Sequence, residues 1–256
     1  MSRAGEAAVP SPPPDARPVL DSDLAILTAT YNEAGNIEAL LGQLRRVAPA
    51  ATLAVVDDAS TDGTAAILAG LAARDPKLVV LGRPGKLGVG SAHKDGIRWA
   101  YDQGFATLVT LDADFTHIPA DVPRMLAATE GKDLATGSRF VLEASLETWS
   151  VSRRIMTRMG HLATRLLLGL PYDCSGSFRA YRLDRIPRAL WDRVEADDYG
   201  FFFESLYRLH AAGHPIGELP ILLPARASGS SKMSPRDALS GLAHLARFAW
   251  RVRRRG

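Results

Sequence analysis

The chain of 256 residues has a single cysteine and no hydrophobic run long enough to cross a bilayer. One cysteine, Cys174, excludes an intrachain disulfide and a cysteine-built zinc site, and we expect it to be a small buried side chain. The longest apolar stretches, such as residues 162–170, fall far short of the roughly 20 residues of a transmembrane helix. Residues 1–18 contain five prolines and no apolar segment, which predicts a flexible leader and not a signal peptide. We therefore expect a cytoplasmic protein.

Three motifs of common enzyme classes are also missing. The first predicted strand is followed by Thr30-Tyr31-Asn32-Glu33, where a dinucleotide-binding fold requires a glycine fingerprint. The chain has no Gly-Lys-Ser/Thr phosphate loop and no Gly-x-Ser-x-Gly nucleophile elbow. These absences exclude nicotinamide dehydrogenases, P-loop nucleotidases and serine hydrolases of the usual kinds.

Charge is distributed unevenly along the chain. The formal net charge is +3, but residues 224–256 carry +7 and the first 223 residues carry −4. A basic tail predicts an anionic partner, and the low aromatic content of 7% with no nucleic-acid-binding motif favours a membrane surface over nucleic acid. Residues 152–170 and 235–255 combine arginines with apolar residues at helical spacing, so we expect both helices to contact the membrane surface.

Short apolar runs alternate with segments of helical period, which is typical of an α/β fold with a mostly parallel sheet flanked by helices. The pattern predicts one domain over residues 23–234, after a leader at 1–22 and before a basic amphipathic helix at 235–256. Predicted helices cover 37–47, with Asn36 as the cap, and 64–73, 91–101 and 119–129. Predicted strands cover 24–29, 53–56, 78–81, 107–111 and 133–136.

Polar clusters follow three of the predicted strands. Open α/β sheets bind ligands at the carboxyl ends of their strands, so we expect these clusters to share one site. Asp112 and Asp114 stand at alternate positions and can direct two carboxylates toward one hard cation, Mg²⁺ or Mn²⁺. The clusters are Tyr31 to Glu33, Asp57 with Asp58, and Asp112 to Asp114.

Seven ordered motifs, between about Leu24 and Ser234, resemble the dolichol- or polyprenol-phosphate mannose synthases of glycosyltransferase family 2. The resemblance implies a single nucleotide-sugar transferase domain of the GT-A fold. Two positions depart from the family pattern: Ala29 replaces a proline, and Ala225 replaces an aspartate. The motifs are Thr30–Glu33, Val55–Thr64, Gly85–Gly90, Asp112–His117, Gly137–Phe140, Ser175–Arg182 and Ser231–Ser234.

The resemblance also implies roles for individual residues. Asp112 and Asp114 would bind the cation, with Ala113 beside the nucleotide-sugar, and Asp114 and Arg139 would be catalytic. Arg139, Arg226 and Lys232 would hold donor phosphates, while Arg139, Arg153 (or its neighbour Arg154) and Arg226 would hold the acceptor phosphate. The nucleotide contacts would come from Ala29, Tyr31, Glu33, Val56 and Asp58.

The reaction implied is an inverting, metal-dependent transfer of mannose from GDP-mannose to a polyprenyl monophosphate. The enzyme would lie at the inner face of the membrane without spanning it. A phosphate acceptor is already an anion, so no side chain must remove a proton from it. Two alternatives remain: transfer of glucose or another sugar to the same lipid, and a non-catalytic protein that binds nucleotide-sugar.

Two further side chains have open interpretations. His117 either contacts the metal or sugar or caps the helix that follows it. Glu204 matches an acid in the second half of the family pattern, or it packs in the core and pairs with Arg208.

Overall fold

The computed structural model describes residues 23–146, 149–223 and 235–255. Its centre is one seven-stranded sheet with the strand order β3-β2-β1-β4-β6-β5-β7. Neighbouring strands are parallel except at β6, which runs antiparallel to both β4 and β5. The strands are β1 (Leu24–Thr30), β2 (Thr52–Asp57), β3 (Leu78–Gly82), β4 (Thr107–Asp112), β5 (Leu134–Ser138), β6 (Arg179–Arg182) and β7 (Ile216–Pro220).

Helices cover both faces of the sheet and create two hydrophobic cores. On one face, α1, α2 and α4 contribute Ile37, Leu68 and Met125 to a core with β1 and β2. On the other, α3, α6 and α7 contribute residues such as Ile97 and Phe201. The helices are α1 (Ile37–Val47), α2 (Thr64–Ala72), α3 (Val89–Asp102), α4 (Val122–Ala127), α5 (Val151–Leu168), α6 (Gly200–Ala211) and α7 (Pro235–Arg255). The result is the α/β arrangement predicted from the sequence.

The predicted elements of the first half are confirmed, with two local differences. The predicted helix at 119–129 is divided into a 3₁₀ turn at Pro119–Asp121 and the short α4, because Pro123 near its start cannot donate a main-chain hydrogen bond. Asn36 precedes α1 as expected, but its side chain makes no capping hydrogen bond. Its Nδ2 instead donates to Glu33 Oε2 at 2.7 Å.

The final helix, α7, packs onto the body of the protein. Leu245, Phe248 and Ala249 are at most 3% exposed, and the Phe248 ring lies 5.3 Å from that of Tyr207 on α6. These three apolar side chains of α7 are therefore covered by protein, whereas Leu242 and Trp250 of the same helix are 51% and 56% exposed. Contact of this helix with a membrane stays a prediction. Among the described residues, no helix has both the length and the apolar character needed to cross a membrane. The predicted leader, residues 1–22, lies outside the described part of the chain.

Candidate active site

The loops after β1, β2 and β4 each contain a non-glycine residue with positive φ. These are Asn32 at 57°, Ala59 at 59° and Phe115 at 62°. Residues other than glycine rarely adopt a positive φ. Such backbone conformations cluster at functional sites. Three such residues at the same edge of the sheet identify that edge as the candidate site.

Hydrogen bonds tie the first two of these loops together. The main-chain N–H of Asn32 donates to Ser60 Oγ at 2.8 Å, and the N–H of Thr61 donates back to Asn32 Oδ1 at 2.7 Å. The N–H of Glu33 donates to Thr64 Oγ1 at 3.0 Å. These hydrogen bonds join the two loops into one wall, and Tyr31 and Glu33 belong to the part of it that follows β1.

This wall borders a cleft that we call the tyrosine cleft. Its floor is the pair of neighbouring strands β1 and β4, in which Ala29 is the direct partner of Asp112. Lys86 reaches over from the loop after β3, with Nζ 4.0 Å from the centre of the Tyr31 ring. The cleft thus combines an aromatic face, a cation and several carboxylates. The sequence-predicted residues that line it are Ala29, Tyr31, Glu33, Asp58, Asp112, Ala113 and Asp114.

Asp58 holds the glycine-rich loop that closes this cleft. Its carboxylate accepts hydrogen bonds from Arg83 Nη1 at 2.7 Å and from the N–H groups of Leu87 and Gly88 at 2.8 and 3.0 Å. Gly88 has a φ of +103°, and an added Cβ would lie 2.6 Å from the carbonyl oxygen of Asp197. Only glycine fits at this position, so Asp58 and Gly88 together fix the loop that carries Lys86.

Asp112 and Asp114 are both held by hydrogen bonds from neighbouring residues. Ser177 Oγ donates to Asp112 Oδ1 at 2.6 Å, and the hydroxyl and N–H of Thr116 donate to Asp114 Oδ1 at 2.6 and 3.0 Å. His117 is buried, and its Nδ1 accepts the main-chain N–H of Asp112 at 3.1 Å. Burial lowers the pKa of His117. This nitrogen therefore holds the main chain of Asp112. The 3₁₀ turn after His117 has no side-chain cap, so the capping role considered for His117 is not observed. Contact of His117 with a metal or sugar stays a prediction.

A second cleft, which we call the arginine cleft, adjoins the first. It is lined by Arg139 from the end of β5, by Arg153 from the first turn of α5 and by Trp149. The guanidinium of Arg153 lies 3.7 Å from the centre of the Trp149 ring. Asp112 lines both clefts, so this carboxylate stands where they meet.

Arg139 is fixed by a buried partner. Its Nε and Nη2 donate to the two carboxylate oxygens of Asp173 at 2.8 and 2.7 Å. Burial opposes ionisation of Asp173, but the charge and hydrogen bonds of Arg139 lower the pKa of this carboxyl to about 2. Asp173 is therefore ionised at any physiological pH. Its two hydrogen bonds with Nε and Nη2 fix the orientation of the Arg139 guanidinium.

Residues 25–186 match the model of glycosyl transferase family 2. This chain belongs to glycosyltransferase family 2. A relative from Micrococcus luteus, named undecaprenyl-phosphate mannosyltransferase, is 40% identical over 80% of this chain and 85% of its own length. A polyprenol monophosphomannose synthase from Mycolicibacterium smegmatis is 33% identical over 89% of this chain and 87% of its own. The resemblance seen in the motifs is confirmed, and the chain is a glycosyltransferase.

Solved structures show the same fold. Glucosyl-3-phosphoglycerate synthase from Mycobacterium tuberculosis, solved with Mn²⁺, UDP and its product, has a TM-score of 0.60 at 19% identity, over 89% of this chain and 78% of that one. A mannosyltransferase from Pyrobaculum calidifontis, solved with GDP-Man and Mn²⁺, has a TM-score of 0.54 at 17% identity, over 92% and 71% of the two chains. The glycosyltransferase therefore has the GT-A fold.

The glycosyltransferase's structure gathers most of the sequence-predicted site residues at one edge of the sheet. Val56 is an exception, because its side chain is fully buried in the core and only its main chain could touch a ligand. Arg226 and Lys232 lie outside the described residues. Sequence reasoning missed Asp173, Lys86 and Arg83.

Two other predictions about side chains have clear outcomes. Cys174 is 2% exposed, and burial raises the pKa of its thiol to about 12, as expected for an unreactive buried cysteine. Glu204 is fully buried: its carboxylate accepts the N–H of Ala196 at 3.1 Å and pairs with Arg208 at 3.1 Å. This is the structural role among the two considered for Glu204.

Proposed function

We propose that this glycosyltransferase transfers mannose from GDP-mannose to a polyprenyl monophosphate, with inversion at the anomeric carbon. The names of the relatives from Micrococcus luteus and Mycolicibacterium smegmatis support both the sugar and the class of acceptor. The observation that carries the proposal is the position of Asp112 between two clefts of different chemistry. A reaction that joins two anionic substrates needs two sites that meet at the reacting atoms.

The tyrosine cleft would take the nucleotide-sugar. The ring of Tyr31 offers an aromatic surface, and the ammonium of Lys86 supplies positive charge beside it. Ala113 and Asp114 would lie toward the sugar, because they follow β4 at the end of the cleft nearest Asp112. Arg226 and Lys232 remain predicted phosphate contacts.

The arginine cleft would take the acceptor phosphate. A phosphate monoester is largely dianionic near neutral pH, since its second pKa is about 6. In the described part of the chain, Nη1 of Arg139 has no hydrogen-bond partner, and arginine pairs well with phosphate oxygens. The attacking phosphate oxygen forms a bond to the anomeric carbon, and the bond from that carbon to the diphosphate breaks with its electron pair on the departing GDP. No proton needs to be removed.

The residues at the end of β4 fit a divalent cation, Mg²⁺ or Mn²⁺. The described residues contain no group of three or more His, Cys, Asp or Glu side chains suited to hold a metal alone. Two fixed carboxylates, Asp112 and Asp114, nevertheless match the way Mg²⁺ is held, by one or two carboxylates together with substrate phosphates. When bound, such an ion would offset the negative charge of the departing diphosphate.

Localisation follows from the acceptor. A polyprenyl chain is confined to a bilayer, so the enzyme must reach its substrate at a membrane surface. We propose that it acts at the cytoplasmic face as a peripheral protein. Arg139 and Arg153, which line the arginine cleft, support this location, because anionic lipids attract arginine side chains.

The test is a transfer assay with several donors. Labelled GDP-mannose, GDP-glucose or UDP-glucose is supplied separately with a short polyprenyl phosphate and Mg²⁺ or Mn²⁺, and the label that enters the organic phase is counted. We expect transfer from GDP-mannose and from neither of the other donors, and only when the cation is present. The rate of transfer should be lower by about a hundredfold or more in Asp114→Asn. Asp102→Asn, at the far end of α3, is the matched control and should be fully active. Transfer of label from another donor would contradict mannose as the transferred sugar. Absence of transfer from every donor would contradict a polyprenyl phosphate as the acceptor.

A further inference from the structure

One face of α5 is apolar, and no other segment among the described residues covers it. Val151, Ile155, Met159, Leu162 and Leu166 recur at intervals of three and four residues, which places them on one side of the helix. Each of these side chains is between 54% and 67% exposed. We call this set the α5 stripe. A contiguous exposed apolar face of this kind marks an interaction surface.

The charges on α5 indicate what would cover the stripe. The helix contains four arginines and no acidic residue, and Arg153, Arg158 and Arg165 are exposed. An apolar strip beside cationic side chains matches the boundary between the headgroups and acyl chains of an anionic bilayer. Two copies of this face would instead bring like charges together, which opposes self-association.

The contrast with α7 narrows the choice of surface. Leu245, Phe248 and Ala249 of α7 are buried, and Phe248 packs on α6. Trp250 near the end of α7 is instead 56% exposed, with the Arg254 guanidinium 3.8 Å from its ring centre. Arg253 Nη2 donates to the carbonyl oxygen of Leu166 at 3.1 Å. The end of α7 therefore lies beside the end of the α5 stripe and adds an aromatic side chain and further cations there.

The other end of α5 reaches the arginine cleft. Arg153, in the first turn of the helix, lines that cleft together with Trp149. The same helix thus carries the exposed stripe and one wall of the proposed acceptor site. A surface that docks along α5 would lie next to the cleft.

We infer that the α5 stripe docks on the surface of an anionic lipid bilayer and holds the arginine cleft at the headgroup layer. The docking stands on the exposed residues alone. The consequence for catalysis rests on the proposed function, because it assumes an acceptor embedded in the bilayer.

The docking is tested by co-sedimentation of the full chain with vesicles of phosphatidylcholine alone and of an equimolar mixture with phosphatidylglycerol. The wild type should bind the mixed vesicles, and Met159→Glu/Leu162→Glu should bind at least about tenfold more weakly. Ala66→Glu/Ala69→Glu adds the same charge at exposed positions of α2 and should stay within about twofold of the wild type. In detergent with a short acceptor, both variants should transfer sugar at the wild-type rate.

The outcomes separate the docking from the proposed function. Binding to the mixed vesicles without any sugar transfer would overturn the proposed function and support the docking. The docking would be overturned if the wild type did not bind the mixed vesicles, or if Met159→Glu/Leu162→Glu bound them as well as the wild type. A dimer seen by light scattering without lipid, and lost in the stripe variant, would overturn it in favour of a second copy of the chain.

Discussion

Asp173 and Arg139, which are 34 positions apart in the sequence, form a buried ion pair with two parallel hydrogen bonds. The Nε and Nη2 atoms of Arg139 donate to the two carboxylate oxygens, and the main-chain N–H of Arg139 adds a third bond at 3.1 Å. Such fork-to-fork pairing fixes the plane of the guanidinium. The end of β5 and the loop before β6 are thereby joined at the wall of the arginine cleft.

Replacing Asp173 by asparagine should destabilise the protein. Asp173 is 1% exposed, and the change leaves the Arg139 charge without its counter-ion. Loss of one partner of a buried ion pair typically costs about 3 kcal/mol or more. Asp102→Asn, in an exposed pair with Arg188, should cost less than about 1 kcal/mol. Urea unfolding of the three proteins measures the difference, and equal costs for the two variants would contradict a buried pair.

The same pair should give a defined pH dependence. The pKa of Asp173 is lowered from 3.8 to about 2, so the folded protein binds a proton here less readily than the unfolded chain. Its contribution to stability is present above about pH 4 and is lost as the pH falls toward 2. The gap in unfolding free energy between wild type and Asp173→Asn should therefore narrow over that window. A constant gap from pH 5 to pH 2 would show that the carboxylate charge is not its source.

Lys86 should act on the donor and not on the acceptor. Its Nζ lies over the Tyr31 ring in the tyrosine cleft, where it can meet the negative charge of a nucleotide. Lys86→Met should raise KM for the nucleotide-sugar by about tenfold and leave KM for the lipid phosphate unchanged. Lys77→Met, at the amino end of β3, is the control and should change neither. A rise in KM for the lipid alone would reverse the assignment of the two clefts.

Two glycines in helices should respond to alanine with opposite signs. An added Cβ at Gly90 in α3 would lie 2.4 Å from the carbonyl oxygen of Asp198 and 2.7 Å from Phe201 Cβ. Gly90→Ala should therefore destabilise by about 2 kcal/mol. Among the described residues, no side chain or neighbouring element comes within 4 Å of a Cβ added at Gly70 in α2, so Gly70→Ala should stabilise by up to about 1 kcal/mol. Thermal unfolding tests both, and the same sign for the two variants would contradict the packing around Gly90.

The sequence was sufficient to predict the first half of the fold and the location of the site. Buried parallel strands give short apolar runs, and each of the five predicted strands lies within two residues of its observed bounds at either end. The polar residues after β1, β2 and β4 could be placed together because parallel strands end at one edge. The antiparallel β6 was not predicted, since its sequence, Arg179–Arg182, is half arginine and buries its charge through tertiary contacts.

Other features of the site depend on long-range contacts that no local pattern reveals. Asp173 lies just before the motif Ser175–Arg182, yet its role depends on Arg139, which follows another strand. Lys86 lies inside the motif Gly85–Gly90, but its approach to Tyr31 depends on the loop that Asp58 and Gly88 fix. Helical spacing indicated apolar residues on both α5 and α7. It could not show that Phe248 of α7 is buried against α6 while the apolar residues of α5 stay exposed.

The most direct test of the account is a comparison of acceptors. The wild type is given labelled GDP-mannose, the cation and either a polyprenyl monophosphate or the polyprenol of the same length. Because Arg139 and Arg153 line the proposed acceptor site and no base is assigned, we predict transfer to the monophosphate and none to the alcohol. Transfer to the polyprenol, or equal transfer to both, would contradict the claim that the arginine cleft binds a phosphate acceptor.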